Sequence, residues 1–177
     1  MVDIALALGG SDCERLRSGW LAQPANAVSS LVYVAVGLGL LWRSGRPAVR
    51  RGAVRAGALG LVAVGVGSIA YHGPQPGWAV LAHDGSIVGL ALVIAGNIWV
   101  LSRSSVPAGP VYAAGRASAA WMAPALVAYV AGRSGSSLCH PASLLQPHAA
   151  WHVLSAVGLG LAVVASAVSS GGDRARP

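Results

Sequence analysis

Five polar side chains interrupt long apolar runs, and their types and spacing could support hydrolytic chemistry. Ser68 and His72 lie four apart in Ser-Ile-Ala-Tyr-His, Asp84 follows in Ala-His-Asp-Gly, and His148 and His152 lie four apart in His-Ala-Ala-Trp-His. A spacing of four puts both side chains of a pair on one helix face, one turn apart. Three imidazoles could hold a zinc ion and leave a fourth tetrahedral position for water, the pattern of a catalytic rather than a structural site. Asp84 could take a hydrogen bond or proton from that water, and Ser68 could donate to a developing oxyanion. Taken singly, each histidine reads as a packing or interfacial residue. Only in combination do they indicate a metal site.

The elements that must carry these residues are membrane-spanning helices. Hydrophobic residues make up 55% of the 177, charged residues only 10%, and the mean hydropathy is +0.64, too apolar for a soluble domain with a charged surface. Spans are expected at 25–42, 56–72, 78–102, 118–131 with an earlier start open, and 148–168. The expected fold is therefore an all-α polytopic bundle of about five helices, with a sixth short element conceivable around 106–114. It forms one membrane domain over 25–168, between an N-terminal segment (1–24) and a short tail (169–177).

Depth strengthens the metal reading. Gly73 and Pro74 should end the second helix just after His72. Pro147 suits a first helical position, so His148 and His152 fall in the first two turns of the last helix. Asp84 lies about two turns into the third helix. A carboxylate there needs a partner, since charge costs about 2.5–3.5 kcal/mol at mid-membrane and less near an interface.

The net charge of +7 comes from twelve arginines and no lysine. Nine of them, including Arg43, Arg46, Arg50, Arg51, Arg55, Arg103 and Arg116, fall in alternate gaps or in the tail, as the positive-inside rule requires of cytoplasmic segments. That pattern removes the need for a nucleic-acid partner. It predicts an integral membrane protein with its N-terminus outside and its C-terminus in the cytoplasm, so that all the motif residues share the outer layer. No signal peptide is expected, because nothing basic precedes Arg15 and the apolar run at 4–8 is short. The absence of lysine and phenylalanine beside abundant Ala, Gly, Val and Arg suggests a bacterial cell membrane.

Other residues receive plainer readings. His83 points about 100° away from Asp84 and is assigned to a supporting or water-facing position. His140 is a solvated loop residue, Trp20, Trp78 and Trp151 are interfacial aromatics, and Asn97 is an interhelical hydrogen-bonding group. Cys13 and Cys139 are the only cysteines. Both are expected outside, where oxidation is permitted, so a disulfide is favoured over two free thiols.

At these positions the sequence resembles the alkaline ceramidases, within the intramembrane hydrolase superfamily that includes the progestin and adiponectin receptors. The resemblance rests on Ser68-x-x-x-His72, on Asp84 in the next helix and on His148-x-x-x-His152 in the last. It extends to Cys13-Glu14 ahead of Asn26-Ala-Val-Ser-Ser, which favours the ceramidase branch. It implies a zinc ion on His72, His148 and His152, with Ser68 and Asp84 assisting hydrolysis of the amide of a ceramide-like lipid by the zinc-bound water. It also implies a disulfide from Cys13, in support of pairing with Cys139. Eukaryotic members carry a calcium site in the N-terminal segment, for which Asp12, Glu14 and Asn26 are the candidates. Gln23 and Leu16, however, stand where an acidic and a polar ligand are expected, which weighs against calcium.

The resemblance covers the first three helices and the last. Family members have seven helices, but only 63 residues separate Asp84 from His148, so the middle is shortened. Three alternatives therefore remain. They are a hydrolase of lipid esters or other acyl amides, a non-catalytic metal-binding or receptor-like membrane protein, and a bis-histidine haem protein.

Overall fold

The computed structural model describes residues 8–44, 50–104 and 108–168. The expected tail at 169–177, Arg46 and Pro107 lie outside the described residues. Regular structure in the described residues is helical: α1 (Pro24–Ser29), α2 (Leu31–Arg43), α3 (Arg51–His72), α4 (Ala79–Ser102), α5 (Ala108–Ala131) and α6 (Pro147–Ser166). Ser30 between α1 and α2 keeps right-handed helical dihedrals (φ −63°, ψ −20°), so these two form one rod. Five rods result, as the sequence leads one to expect. Four of them, Pro24–Arg43, Arg51–His72, Ala79–Ser102 and Pro147–Ser166, are long and apolar enough to cross a membrane.

The remaining rod, α5, takes the earlier start that the sequence left open. Arg116 and the prolines made 103–117 read as a loop, yet α5 begins at Ala108. Pro110 falls in its first turn, where a missing N–H costs no intrahelical bond, and Arg116 stays exposed. The helix then runs beside α6, and Ser118 Oγ donates to the Gly158 carbonyl at 2.8 Å.

Burial is concentrated where α2, α3 and α6 meet, around Tyr33, Leu61, Val64, Ala156 and Val163. Small residues set the approach distances: a Cβ on Gly37 would lie 2.7 Å from the backbone oxygen of Ala58, so α2 and α3 touch backbone to backbone there. By contrast, α4 leans on α3 and touches α6. Its apolar window is only 6% buried, a surface suited to lipid. Among the described residues α4 and α5 make no helix-to-helix contact, which leaves a cleft between them floored by α6.

The two ends of the bundle are fastened differently. At one end Arg50 donates to the carbonyls of Asn97 at 3.0 Å and Ser166 at 2.8 Å, tying α4 to the end of α6. Asn97 Nδ2 reaches Ala53 O on α3 at 3.4 Å, the interhelical bond expected of it. At the other end the N-terminal segment closes the bundle. The backbone N–H groups of Ala22 and Gln23 donate to Gly73 O and His72 O, taking up carbonyls at the end of α3. The Glu14 carboxylate accepts the N–H groups of Ala25 and Asn26 at 2.8 Å and so caps α1 from outside the helix. Cys13 and Cys139 form a disulfide across 126 residues, joining this segment to the loop before α6.

Gly37→Ala should force α2 from α3, because the obstructing atom is backbone and cannot rotate away. The expected loss is about 1–3 kcal/mol in detergent-solubilised unfolding. An unchanged midpoint would contradict the backbone contact.

Candidate metal centre

The end of α3 and the first two turns of α6 meet beneath the N-terminal segment, and this junction brings His72, His148 and His152 together. Their ring centroids are 5.2 Å apart for His72 with His148, 5.2 Å for His72 with His152, and 4.7 Å for His148 with His152. One ring nitrogen from each lies within 4.8 Å of the others. A tetrahedral ion with metal–nitrogen bonds of about 2.0–2.1 Å would need those atoms roughly 3.4 Å apart, which small ring rotations can supply. All three residues are buried, at 0%, 5% and 1% exposure.

Hydrogen bonding decides which nitrogens can serve. Gln23, fully buried, donates from Nε2 to the carbonyls of Gly9 at 2.9 Å and Glu14 at 2.8 Å. Its Oε1 must therefore face His72, and it accepts the Nδ1–H at 2.7 Å. His72 Nε2 is left with a bare lone pair, buried and without a hydrogen-bond partner. His152 repeats the arrangement. Its Nδ1–H donates to Asn26 O at 3.1 Å, with Ser29 Oγ at 2.9 Å, so its Nε2 is bare as well. For His148 the neighbour is Asp12, whose Oδ1 stands 3.4 Å from Nδ1, an ion-pair distance outside hydrogen-bond geometry. Acceptors behind each imidazole fix tautomer and ring orientation in metal sites. A buried group of three histidines so arranged could bind a metal ion.

Asp12 is itself a buried carboxylate. Burial pushes its carboxyl up to about 6, against the opposing effects of Arg133 and His83. Arg133 Nη1 donates to Asp12 Oδ1 at 3.0 Å, and its guanidinium lies over the Tyr129 ring. Two of the three calcium candidates are engaged elsewhere, Asp12 with Arg133 and Glu14 with the start of α1. Both side-chain polar atoms of Asn26 are buried without partners.

Two cavities meet at the histidines. A polar one of 370 Å³ is lined by Asp12, His72, His83, Asp84, Arg133 and His148 among others. An apolar one of 180 Å³, walled mainly by α3, α4 and α6 with Met122 from α5, is lined by Tyr33, Ser68, Leu90, Met122, His152 and Leu159 among others. His83, Ile87 and Trp151 belong to both walls. Farther along the α4–α5 cleft lies a third space of 490 Å³, bounded by Ile98, Tyr112, Arg116 and Ala162 among others.

The expected residues are therefore placed as follows. Ser68 is buried in the wall of the apolar cavity, which His152 also lines. Asp84 reaches the polar cavity but remains 67% exposed, its carboxylate accepting the His83 Nδ1–H at 2.7 Å. His83 borders both cavities, and Trp151, read from sequence as an interfacial aromatic, does too. His140 is exposed in its loop. Sequence reasoning did not anticipate Gln23 behind His72 or Asp12 beside His148. The one available signal was a glutamine in place of an acid ahead of the first helix.

Comparison with known protein families, characterised proteins and solved structures finds no match to this chain.

Gln23→Leu keeps the side chain's bulk and removes the acceptor behind His72. Metal affinity, measured by chelator competition, should fall about 10–100-fold. Unaltered affinity would show that Gln23 does not orient the imidazole.

Proposed function

We propose that this protein is an intramembrane zinc-dependent amidohydrolase that cleaves a ceramide-like lipid. The observation that carries the reading is the position of three buried, clustered imidazoles at the seam between a polar and an apolar cavity. An amphiphile whose scissile bond joins a polar head to an acyl chain fits such a seam. Its head would occupy the space beside Asp12, Arg133 and Asp84, and its chain the space between α4 and α5. The gap between those helices gives the lipid a sideways route, since no helix contact closes it.

The chemistry divides among the side chains accordingly. Zinc held by His72, His148 and His152 would polarise an amide carbonyl and lower the pKa of water toward about 7. Ser68, in the wall of the apolar cavity that His152 also lines, is suited to donate a hydrogen bond to the oxyanion that develops as water adds to the carbonyl. Gln23 and Asn26 hold His72 and His152 in the tautomer that presents Nε2, and Asp12 stands beside the Nδ1 of His148. The apolar wall of Leu90, Met122 and Leu159 excludes bulk water from the acyl side. The motifs shared with the ceramidases point to the same bond, and a lipid ester would meet the same groups.

The protein purified in detergent should carry one zinc per chain and release fatty acid from N-acyl sphingoid lipids. His148→Ala should lose the metal. Ser68→Ala should keep it while kcat falls about 10²–10³-fold. Release from esters alone would reassign the substrate, and metal without any acyl release would leave a binding protein.

A further inference from the structure

A histidine–aspartate pair flanks the three clustered imidazoles without joining them. His83 Nδ1 lies 2.7 Å from Asp84 Oδ1, and because a carboxylate only accepts, the ring proton sits on Nδ1. In the neutral ring, Nε2 then carries the lone pair. The ring is stacked on Tyr71, with centroids 4.6 Å apart at 25°, and meets the edge of His72 at 6.1 Å. Four contacts thus fix one ring: a carboxylate, a stacked phenol, the neighbouring imidazole and its own helix.

The location is as specific as the orientation. His83 borders both the polar and the apolar cavity, and so stands where the two halves of a bound amphiphile would join. It gets there because Gly67, next to Ser68, lets α4 approach closely. A Cβ on Gly67 would lie 2.6 Å from Ala82 O and 3.0 Å from His83 Cα. Backbone contact at Gly67 therefore sets the distance between Ser68 and His83.

We infer that His83 is the proton-transfer residue of the site and that Asp84 acts through it as a positioning residue. This rests on the hydrolase reading above. As the water oxygen forms its bond to the carbonyl carbon, one water proton passes to His83 Nε2. When the C–N bond breaks, His83 delivers that proton to the departing amine nitrogen, and the second water proton leaves with the carboxylic acid. Water and amide are consumed, amine and acid are formed, and His83 returns to its starting state. Asp84 keeps Nε2 bare and steadies the imidazolium, a carboxylate's part behind a catalytic histidine. A purely structural His83 would make the same ring contacts with no such consequence.

Two measurements decide the matter, and the first needs no substrate. In zinc-loaded protein carrying ¹⁵N-histidine, His83 should show a protonated Nδ1 and a metal-free, unprotonated Nε2, and Asp84→Asn should disturb that tautomer while zinc content stays the same. A zinc-bound His83, or a proton resident on Nε2, overturns the inference whatever the enzyme does. With acyl-amide substrate, His83→Gln should lower kcat about 10²–10⁴-fold with KM changed less than about threefold and zinc retained. Imidazole should restore part of the rate to His83→Ala, and Asp84→Glu should recover part of the loss seen in Asp84→Asn. Full turnover by His83→Gln overturns the inference and leaves the hydrolase reading standing. A wild-type protein that releases no fatty acid overturns the hydrolase reading and this inference's catalytic step with it, whereas the ¹⁵N result then stands as a structural fact about the pair.

Discussion

An imidazole can offer a bare nitrogen to a metal only if something accepts the proton on its other nitrogen, and inside a lipid-facing bundle that acceptor has to come from the protein. Here acceptors for two of the histidines, and a carboxylate beside the third, come from one stretch of chain. Gln23 Oε1 takes the proton of His72, Asn26 O takes that of His152, and Asp12 stands beside Nδ1 of His148. The order of dependence follows. A buried nitrogen without a partner costs about 1–3 kcal/mol, so the His72 Nε2 lone pair is a liability unless a cation meets it. The N-terminal segment creates that liability and, with the same bonds, makes the site selective for something that can relieve it.

Much of the remaining structure serves to hold that segment in place. The disulfide from Cys13 to Cys139, the Glu14 cap on α1 and the backbone bonds from Ala22 and Gln23 to the end of α3 all fasten it. They also join the elements that carry the histidines: α3 brings His72, α6 brings His148 and His152. The far end is tied by Arg50 instead, which leaves the middle of the α4–α5 side free of cross-links. The bundle is thus fastened at both ends and open along one flank.

The helices and the histidine triad were legible in the sequence because short-range rules govern them. Apolar length sets the rods, spacing of four sets a shared face, and Gly73 and Pro147 mark helix ends beside His72 and His148. Cys13 and Cys139 could be paired as the only cysteines. The start of α5 was obscured because Pro110 and Arg116 each read as a loop signal, although a proline in the first turn and an exposed arginine both suit a helix. What lay beyond reach was contact between distant segments. Nothing local assigns Gln23 to His72 across 49 residues or Asp12 to His148. Equally hidden was the seating of α4 on Gly67, which brings His83 to both cavities while Asp84 borders the polar one.

The central claim is that His72 from one helix and His148 and His152 from another share a single ion. X-ray absorption at the zinc edge of the purified, metal-loaded protein tests it most directly. The account predicts three imidazole nitrogens at about 2.0–2.1 Å and one lighter oxygen-type ligand. A spectrum with sulfur ligands, or with fewer than three imidazoles, would contradict it.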